Sequence, residues 1–158
     1  MEFPFIQQVC LTTAPAYIPP LFEINKKINL KMTKLKNNVE KLNGLIREGR
    51  LMEAFEKYYG DEVITQANGN APINGKDANR KRETIFLQEI EKLNSAEIKS
   101  VTFGGTDDNV SMTEWAINIE DKEGEQKTIH RVNVQHWKGD KIINEKLYFC
   151  GDQKFQIK

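Results

Sequence analysis

Length, composition and charge restrict this chain to few classes of protein. It has 158 residues, 39% hydrophobic and 29% charged, which is typical of one compact domain with a buried core. Basic and acidic residues number 23 each, so there is no net charge of the kind that concentrates proteins on nucleic acid or anionic lipid, and we expect neither a nucleic-acid nor a membrane partner.

Residues 1–31 differ from the rest of the chain. They carry four of the five prolines and show no sustained period of a helix or a strand. The acidic Glu2 and the scattered prolines also argue against a secretory signal, which needs a basic start and an unbroken apolar run. We predict a disordered extension or a start-site artefact over residues 1–31, a domain over residues 32–152, and a tail over residues 153–158.

The two cysteines indicate a reducing compartment. Cys10 and Cys150 lie near opposite ends of the chain, and two residues are too few for the disulfide framework of a small secreted protein. We therefore expect a cytoplasmic protein.

Apolar spacing predicts two helices after residue 32. The first begins at Thr33 as N-cap and ends at Gly49. Its apolar stripe consists of Leu35, Val39, Leu42 and Ile46. The second is shorter and ends at Gly60, because glycine readily adopts a left-handed C-cap conformation. Its apolar residues are Leu51, Phe55 and Tyr58.

A strand and a third helix are predicted next. Residues 63–67 form a short β-branched run, and residues 68–72 form a loop. Asn74 followed by Asp77 resembles a capping box that opens the third helix. The apolar residues of that helix are Phe86, Ile90 and Leu93, and the helix ends at Leu93. The remainder is typical of an antiparallel meander with strands over residues 98–103, 110–120, 126–137 and 141–150.

This order of elements resembles the SnoaL-like branch of the nuclear transport factor 2-like superfamily over residues 33–150. Three segments carry the resemblance, namely Tyr58-Tyr59-Gly60-Asp61-Glu62-Val63, Ile73-Asn74-Gly75-Lys76-Asp77-Ala78, and Trp137-Lys138-Gly139-Asp140-Lys141-Ile142 with Tyr148-Phe149 downstream. The resemblance implies a cone-shaped α+β fold of the cystatin-like type, with three N-terminal helices packed on a curved, mainly antiparallel sheet. It also implies a pocket between helices and sheet, which in relatives holds small apolar molecules.

The ketosteroid isomerases of this superfamily use an aspartate base, a tyrosine and a neutral carboxylic acid. The resemblance places Gln66, Leu42 and Asn133 at these positions. Gln66 cannot take up a proton at neutral pH, Leu42 offers no donor, and Asn133 keeps only a hydrogen-bond donor. Isomerase chemistry by that mechanism is therefore not expected.

Strand alternation groups polar side chains on one face of the last hairpin, and the resemblance implies that this face is the pocket side. One face of the third long strand carries Arg131, Asn133, Gln135 and Trp137, and one face of the last strand carries Ile143, Glu145, Leu147 and Phe149. A hairpin that turns about Gly139 places Asn133 roughly opposite Glu145, close enough for a cross-strand contact.

Glu145 is the best candidate for proton transfer, with Asn133 as its partner. A carboxylate on an apolar wall is poorly solvated, so its pKa is expected to rise unless a cation lies nearby. The alternative is structural, because Glu145 could instead pair with Arg131 or Lys146, or face solvent or a second subunit.

The predicted ligand-binding residues are Tyr58, Gln66, Phe86, Phe103, Arg131, Gln135, Trp137, Leu147 and Phe149. The aromatic members could equally be plain core. The strand over residues 110–120 could turn either of two faces to the cavity, and periodicity cannot choose between them. One face carries Met112, Glu114 and Ala116, and the other carries Thr113, Trp115 and Ile117.

No metal or cofactor is predicted. His130 and His136 are the only histidines, and six residues along a strand separate them by roughly 20 Å, too far for one shared metal ion. The glycines at 69 and 75 with Lys76 lack the spacing and the hydroxyl residue of a phosphate-binding loop.

Two hypotheses of different class follow, with a third held in reserve. The first is a small-molecule-binding domain with little or no catalysis, forming a homodimer through the convex sheet face around Val132 and Val134. The second is an isomerase, cyclase or hydratase that uses Glu145 as acid or base. The third is a protein-interaction module, which would require an interior filled by the chain's own side chains.

Overall fold

A computed structural model of the chain describes residues 20–105 and 109–150. The helices are α1 (Leu21–Arg47), α2 (Leu51–Tyr58) and α3 (Lys76–Gln88). The strands are β1 (Tyr59–Ala67), β2 (Ile73–Asn74), β3 (Ile90–Gly104), β4 (Val110–Asp121), β5 (Gln126–Lys138) and β6 (Lys141–Cys150). Cys10, the predicted tail and most of the predicted extension lie outside the described residues.

The strands form one sheet in the order β2-β1-β6-β5-β4-β3. Neighbouring strands in this sheet are antiparallel, except β1 and β6, which are parallel to each other. The predicted α+β fold, with three helices packed on a curved and mainly antiparallel sheet, is confirmed. β2, which pairs with β1 through only two residues, was not predicted.

Helix α1 begins twelve residues before the predicted start. Thr33 lies inside it, and the Thr33 hydroxyl donates to the carbonyl of Asn29 at 2.8 Å instead of capping the helix. Burial along α1 starts only near Leu35, whereas Leu21 and Phe22 are exposed. The apolar period therefore predicted only the half of the helix that packs on the sheet. Gly49, at φ 76°, follows the helix as predicted.

The chain passes from α2 directly into β1. Tyr59 is already extended, and Gly60 is a strand residue, so the predicted C-cap role of Gly60 is wrong. A Cβ at position 60 would lie 3.4 Å from the carbonyl oxygen of Ile142 on β6. Glycine therefore serves the close approach of two strands here.

The start and end of α3 also differ from the prediction. Gly75, at φ 83°, precedes the helix, while Asn74 pairs with Ile64 in the sheet and makes no capping box. The helix ends at Gln88, and Ile90 and Leu93 belong to β3. Their spacing suits a helix, but pairing with β4 overrides that local preference.

The core lies between the helices and the inner face of the sheet. Trp115 is 1% exposed and Met112 is 45% exposed. The inner face of β4 therefore carries Thr113, Trp115 and Ile117, which answers the question that periodicity left open.

A bulge sets the register of the β5–β6 hairpin. Gln135 pairs with Glu145 and Asn133 pairs with Leu147, so Asn133 lies two residues from the position directly opposite Glu145. The predicted contact between the side chains of Asn133 and Glu145 is nevertheless present. The pairing shifts after His136, which leaves Ile143 unpaired and 41% exposed. Ile143 therefore does not share the inner face with Glu145, as was predicted; the fully buried Ile142 does.

Candidate ligand-binding site

Glu145 is held by three hydrogen-bond donors inside the fold. It is 2% exposed and projects from the inner face of β6. The Tyr59 hydroxyl donates to Oε2 at 2.8 Å, while the side-chain amides of Asn133 and Gln135 donate to Oε1 at 2.9 and 2.8 Å. A buried carboxylate needs such partners, because its desolvation is otherwise costly. The cluster of Glu145, Tyr59, Asn133 and Gln135 is called the Glu145 cluster below.

Tyr59 acts as a donor in this cluster. Burial raises the pKa of its phenol well above the usual range, and the negative charge of Glu145 raises this pKa further. The phenol therefore keeps its proton at neutral pH.

A second set of bonds orients Gln135. The Trp137 indole donates to Ser111 Oγ at 2.9 Å, and Ser111 Oγ donates to Gln135 Oε1 at 3.3 Å. Because the amide oxygen of Gln135 accepts from Ser111, its NH₂ group is directed to Glu145. Side chains of three neighbouring strands thus support one carboxylate.

A small cavity lies against the Glu145 cluster. Its volume is about 30 Å³, which is room for roughly two water molecules. Polar residues line one part of it and apolar residues of α1 and α2 line the other. The polar lining consists of Tyr59, Glu83, Arg131, Asn133 and Glu145. This cavity is called the inner chamber.

A larger apolar cavity adjoins the inner chamber. It measures about 160 Å³ and shares Ile46, Leu51 and Arg131 with the inner chamber. Its other walls come from the end of α3 and from β3, β4 and β5. They include Phe86, Leu87, Leu93, Ala96, Ile117 and Ile119. This cavity is called the outer chamber. Arg131 is the one charged residue in its described lining.

The structure brings together most, but not all, of the predicted site residues. Glu145, Asn133, Arg131 and Leu147 line the inner chamber, and Phe86 lines the outer chamber. Gln135 and Trp137 reach the site through the hydrogen bonds described above.

The other predicted residues lie elsewhere. Gln66 lies on the face of β1 that is turned away from the helices, and its amide donates to the carbonyl of Asn70 at 2.9 Å. Tyr58 and Phe103 line an open groove of about 930 Å³ between α1, α2 and β3. Phe149 is half-buried and packs against the main core.

Sequence reasoning selected Tyr58 for the site and not Tyr59. The helical spacing from Phe55 is met by Tyr58 at three residues and by Tyr59 at four, so the pattern alone does not identify which tyrosine enters the site. The direct passage from α2 into β1 directs Tyr59 towards Glu145. Ser111 and Glu83 were also missed, because a serine in a strand and a glutamate on a charged helix carry no distinctive signal.

A separate buried polar group fastens α3 to β1. Asn79 is fully buried, and its amide donates to the carbonyls of Gly75 and Ile73 at 2.8 and 3.1 Å. The Thr65 hydroxyl donates to Asn79 Oδ1, and Arg82 donates to Thr65 Oγ1 at 2.8 Å. Arg82 also forms an ion pair with Glu83. Because Glu83 lines the inner chamber, this group positions one of its walls.

Within residues 20–105 and 109–150, no helix is both long and apolar enough to cross a membrane. In the same ranges, no three histidine, cysteine, aspartate or glutamate side chains come close enough to hold a metal ion.

Comparison with solved structures identifies the fold. A proposed SnoaL-like polyketide cyclase from Mesorhizobium loti superposes with a TM-score of 0.61 at 20% identity, covering 72% of this chain and 97% of that one. A proposed isomerase from Bacillus subtilis gives a TM-score of 0.64 at 14% identity, with coverage of 76% and 88%.

A nuclear transport factor 2-like protein of unknown function from Cytophaga hutchinsonii gives a TM-score of 0.60 at 15% identity, covering 73% of this chain and 99% of that one. No family model and no curated protein matches the sequence. The chain therefore has the nuclear transport factor 2-like fold. At these identities the likeness establishes the fold alone, and function must be argued from the site.

Proposed function

We propose that this protein is a small-molecule-binding domain whose ligand places an apolar body in the outer chamber and a polar end in the inner chamber. The observation that carries the proposal is the position of the Glu145 cluster beside an apolar cavity. Ligand sites are typically apolar with a few convergent polar groups. The alternative of a protein-interaction module requires a filled interior, and chambers of about 160 and 30 Å³ argue against it.

An enzyme that uses Glu145 as acid or base is the second candidate. Solved structures with this fold include proteins described as a polyketide cyclase and an isomerase, and Glu145 lines the inner chamber. Its two oxygens, however, already accept three hydrogen bonds. This arrangement favours a carboxylate that organises the chamber wall over one that exchanges protons with a ligand.

Filling the outer chamber tests the binding proposal. Ala96 is half-buried in the wall of that chamber, so A96F puts a ring into the space that a ligand would occupy. Toluene serves as the probe, because an apolar cavity of about 150 Å³ accepts a benzene-sized molecule. We expect A96F to weaken toluene binding at least about tenfold in a ¹H–¹⁵N NMR titration, an effect of about 1.4 kcal/mol.

The matched control is A78F, since Ala78 is exposed on α3 and this variant should bind toluene as the native protein does. Toluene binding that is as strong in A96F as in the native protein, or a native protein that binds neither toluene nor phenol, would refute the proposal. Circular dichroism checks that both variants are folded.

A homodimer through the outer face of the sheet, the face turned away from the helices, is part of the proposal. Met112 and Tyr148 are 45% and 48% exposed there. They lie across from Val134 and Val132 respectively, so the four side chains form one apolar patch. Patches of this kind often mark contacts between subunits.

Sedimentation equilibrium tests the dimer. We expect the native chain to sediment as two subunits and V134K to sediment as one, because a lysine at the centre of the patch would bury an unpaired charge. T84K, on the exposed surface of α3, should leave the mass unchanged. A native protein that stays monomeric at high concentration would contradict this assignment.

A further inference from the structure

Two residues of the inner chamber each carry a buried polar atom without a partner, and the two atoms have opposite hydrogen-bonding character. Asn133 is 3% exposed, and its Oδ1 has no hydrogen-bond partner among the residues that the structure describes. Arg131 Nε is likewise buried and unpartnered within those residues. Both residues line the inner chamber. One atom can only accept a hydrogen bond and the other can only donate one.

Leaving such atoms unpaired is costly. A hydrogen bond restrains the orientation of the Asn133 amide. The NH₂ group of Asn133 donates to Glu145 at 2.9 Å, which keeps Oδ1 directed away from that carboxylate. Asn133 Oδ1 and Arg131 Nε therefore suit a group that donates one hydrogen bond and accepts another.

The unpartnered acceptor disfavours an anionic group. Glu145, Glu83 and the cation Arg131 all line the chamber, and Glu83 forms an ion pair with Arg82, so the charges of the wall largely balance one another. A carboxylate, however, has no proton to offer Asn133 Oδ1. A hydroxyl group meets both requirements, because it donates one proton and accepts through its lone pairs.

Volume limits the size of the molecule. The inner chamber, at about 30 Å³, accepts a hydroxyl, and the outer chamber, at about 160 Å³, accepts a body of about one six-membered ring. We propose that the site selects a small uncharged alcohol or phenol, whose hydroxyl donates to Asn133 Oδ1 and accepts from Arg131 Nε. This inference depends on the proposed binding function and specifies its ligand class.

Phenol, toluene and benzoate test the inference, since they share one ring and differ in the head group. Without recognition of the head group, toluene should bind more tightly than phenol, because burial of its methyl group costs no hydration. We expect the reverse, with phenol bound about tenfold more tightly than toluene by isothermal titration calorimetry. Benzoate should bind more weakly than phenol.

The R131M variant separates head-group recognition from general binding. It keeps an apolar stem and removes the Nε donor. Because Arg131 also lines the outer chamber, both affinities are measured in the same variant, and the ratio of phenol affinity to toluene affinity should fall about tenfold. R131K is a second variant that retains a donor and should recover part of the loss.

Each remaining outcome is decisive. Toluene bound as tightly as phenol would refute the head-group inference and leave the binding function standing. A crystal structure in which water fills the inner chamber while the phenol hydroxyl lies elsewhere would have the same consequence. Benzoate bound most tightly would show that Arg131 selects an anion. If neither phenol nor toluene binds, the proposed function and this inference both fail.

Discussion

Replacing Glu145 with alanine is expected to lower the free energy of unfolding by about 3 kcal/mol or more. The change removes a buried acceptor and leaves the donors of Tyr59, Asn133 and Gln135 without their partner. Each donor that loses its acceptor remains buried, so its desolvation cost is no longer offset by a hydrogen bond. Urea unfolding followed by circular dichroism measures the effect.

E145Q separates the loss of charge from the loss of shape. It retains one acceptor oxygen of the two, so the loss of stability should be smaller than in E145A. E62A is the matched control, because Glu62 is an exposed residue of β1 and its loss should change stability by no more than about 0.5 kcal/mol. If E145A unfolds like the native protein, the Glu145 cluster does not organise the interior.

Replacing Asn79 with alanine is the second change with a large expected effect, of about 2–3 kcal/mol. Asn79 links the start of α3, strand β2 and, through Thr65, strand β1. Its loss leaves buried carbonyls and a buried hydroxyl without this partner. The same urea titration measures the change.

Q88A provides the comparison for N79A, because Gln88 lies in the same helix and is exposed. We expect a change within about 0.5 kcal/mol of the native value there. N79A should also weaken toluene binding, because α3 supplies Phe86 to the outer chamber and Glu83 to the inner one. An N79A protein as stable as Q88A would mean that α3 is held mainly by its apolar contacts.

The order of the elements and the face of β5 were predictable because both depend on local rules. Alternation along a strand has a period of two, so Arg131, Asn133, Gln135 and Trp137 share a face wherever the strand is placed. Glu145 was likewise selected as a carboxylate in an apolar strand. The structure places Arg131, Asn133 and Glu145 around one small cavity, and Gln135 donates a hydrogen bond to Glu145.

The limits of the helices were less predictable, since they depend on neighbours. The sequence of α1 shows an apolar stripe only over the part of the helix that the sheet covers. Ile90 and Leu93, predicted in the third helix, belong to β3 because they pair with β4. The choice between Tyr58 and Tyr59 was equally open, because both positions satisfy helical spacing from Phe55.

The sequence by itself determined the order of the helices and of the long strands along the chain, and which residues of β5 share a face, since periodicity and turn residues act over a few neighbouring positions. Only the tertiary structure decided that Gln135, and not Asn133, pairs with Glu145. It also decided that Tyr59 donates a hydrogen bond to Glu145 and how large the two chambers are. A bulge near Ile143 and the packing of distant side chains control these features. The bulge joins two consecutive strands but follows no periodic pattern, and the packing joins elements far apart in the chain, so local periodicity encodes neither feature.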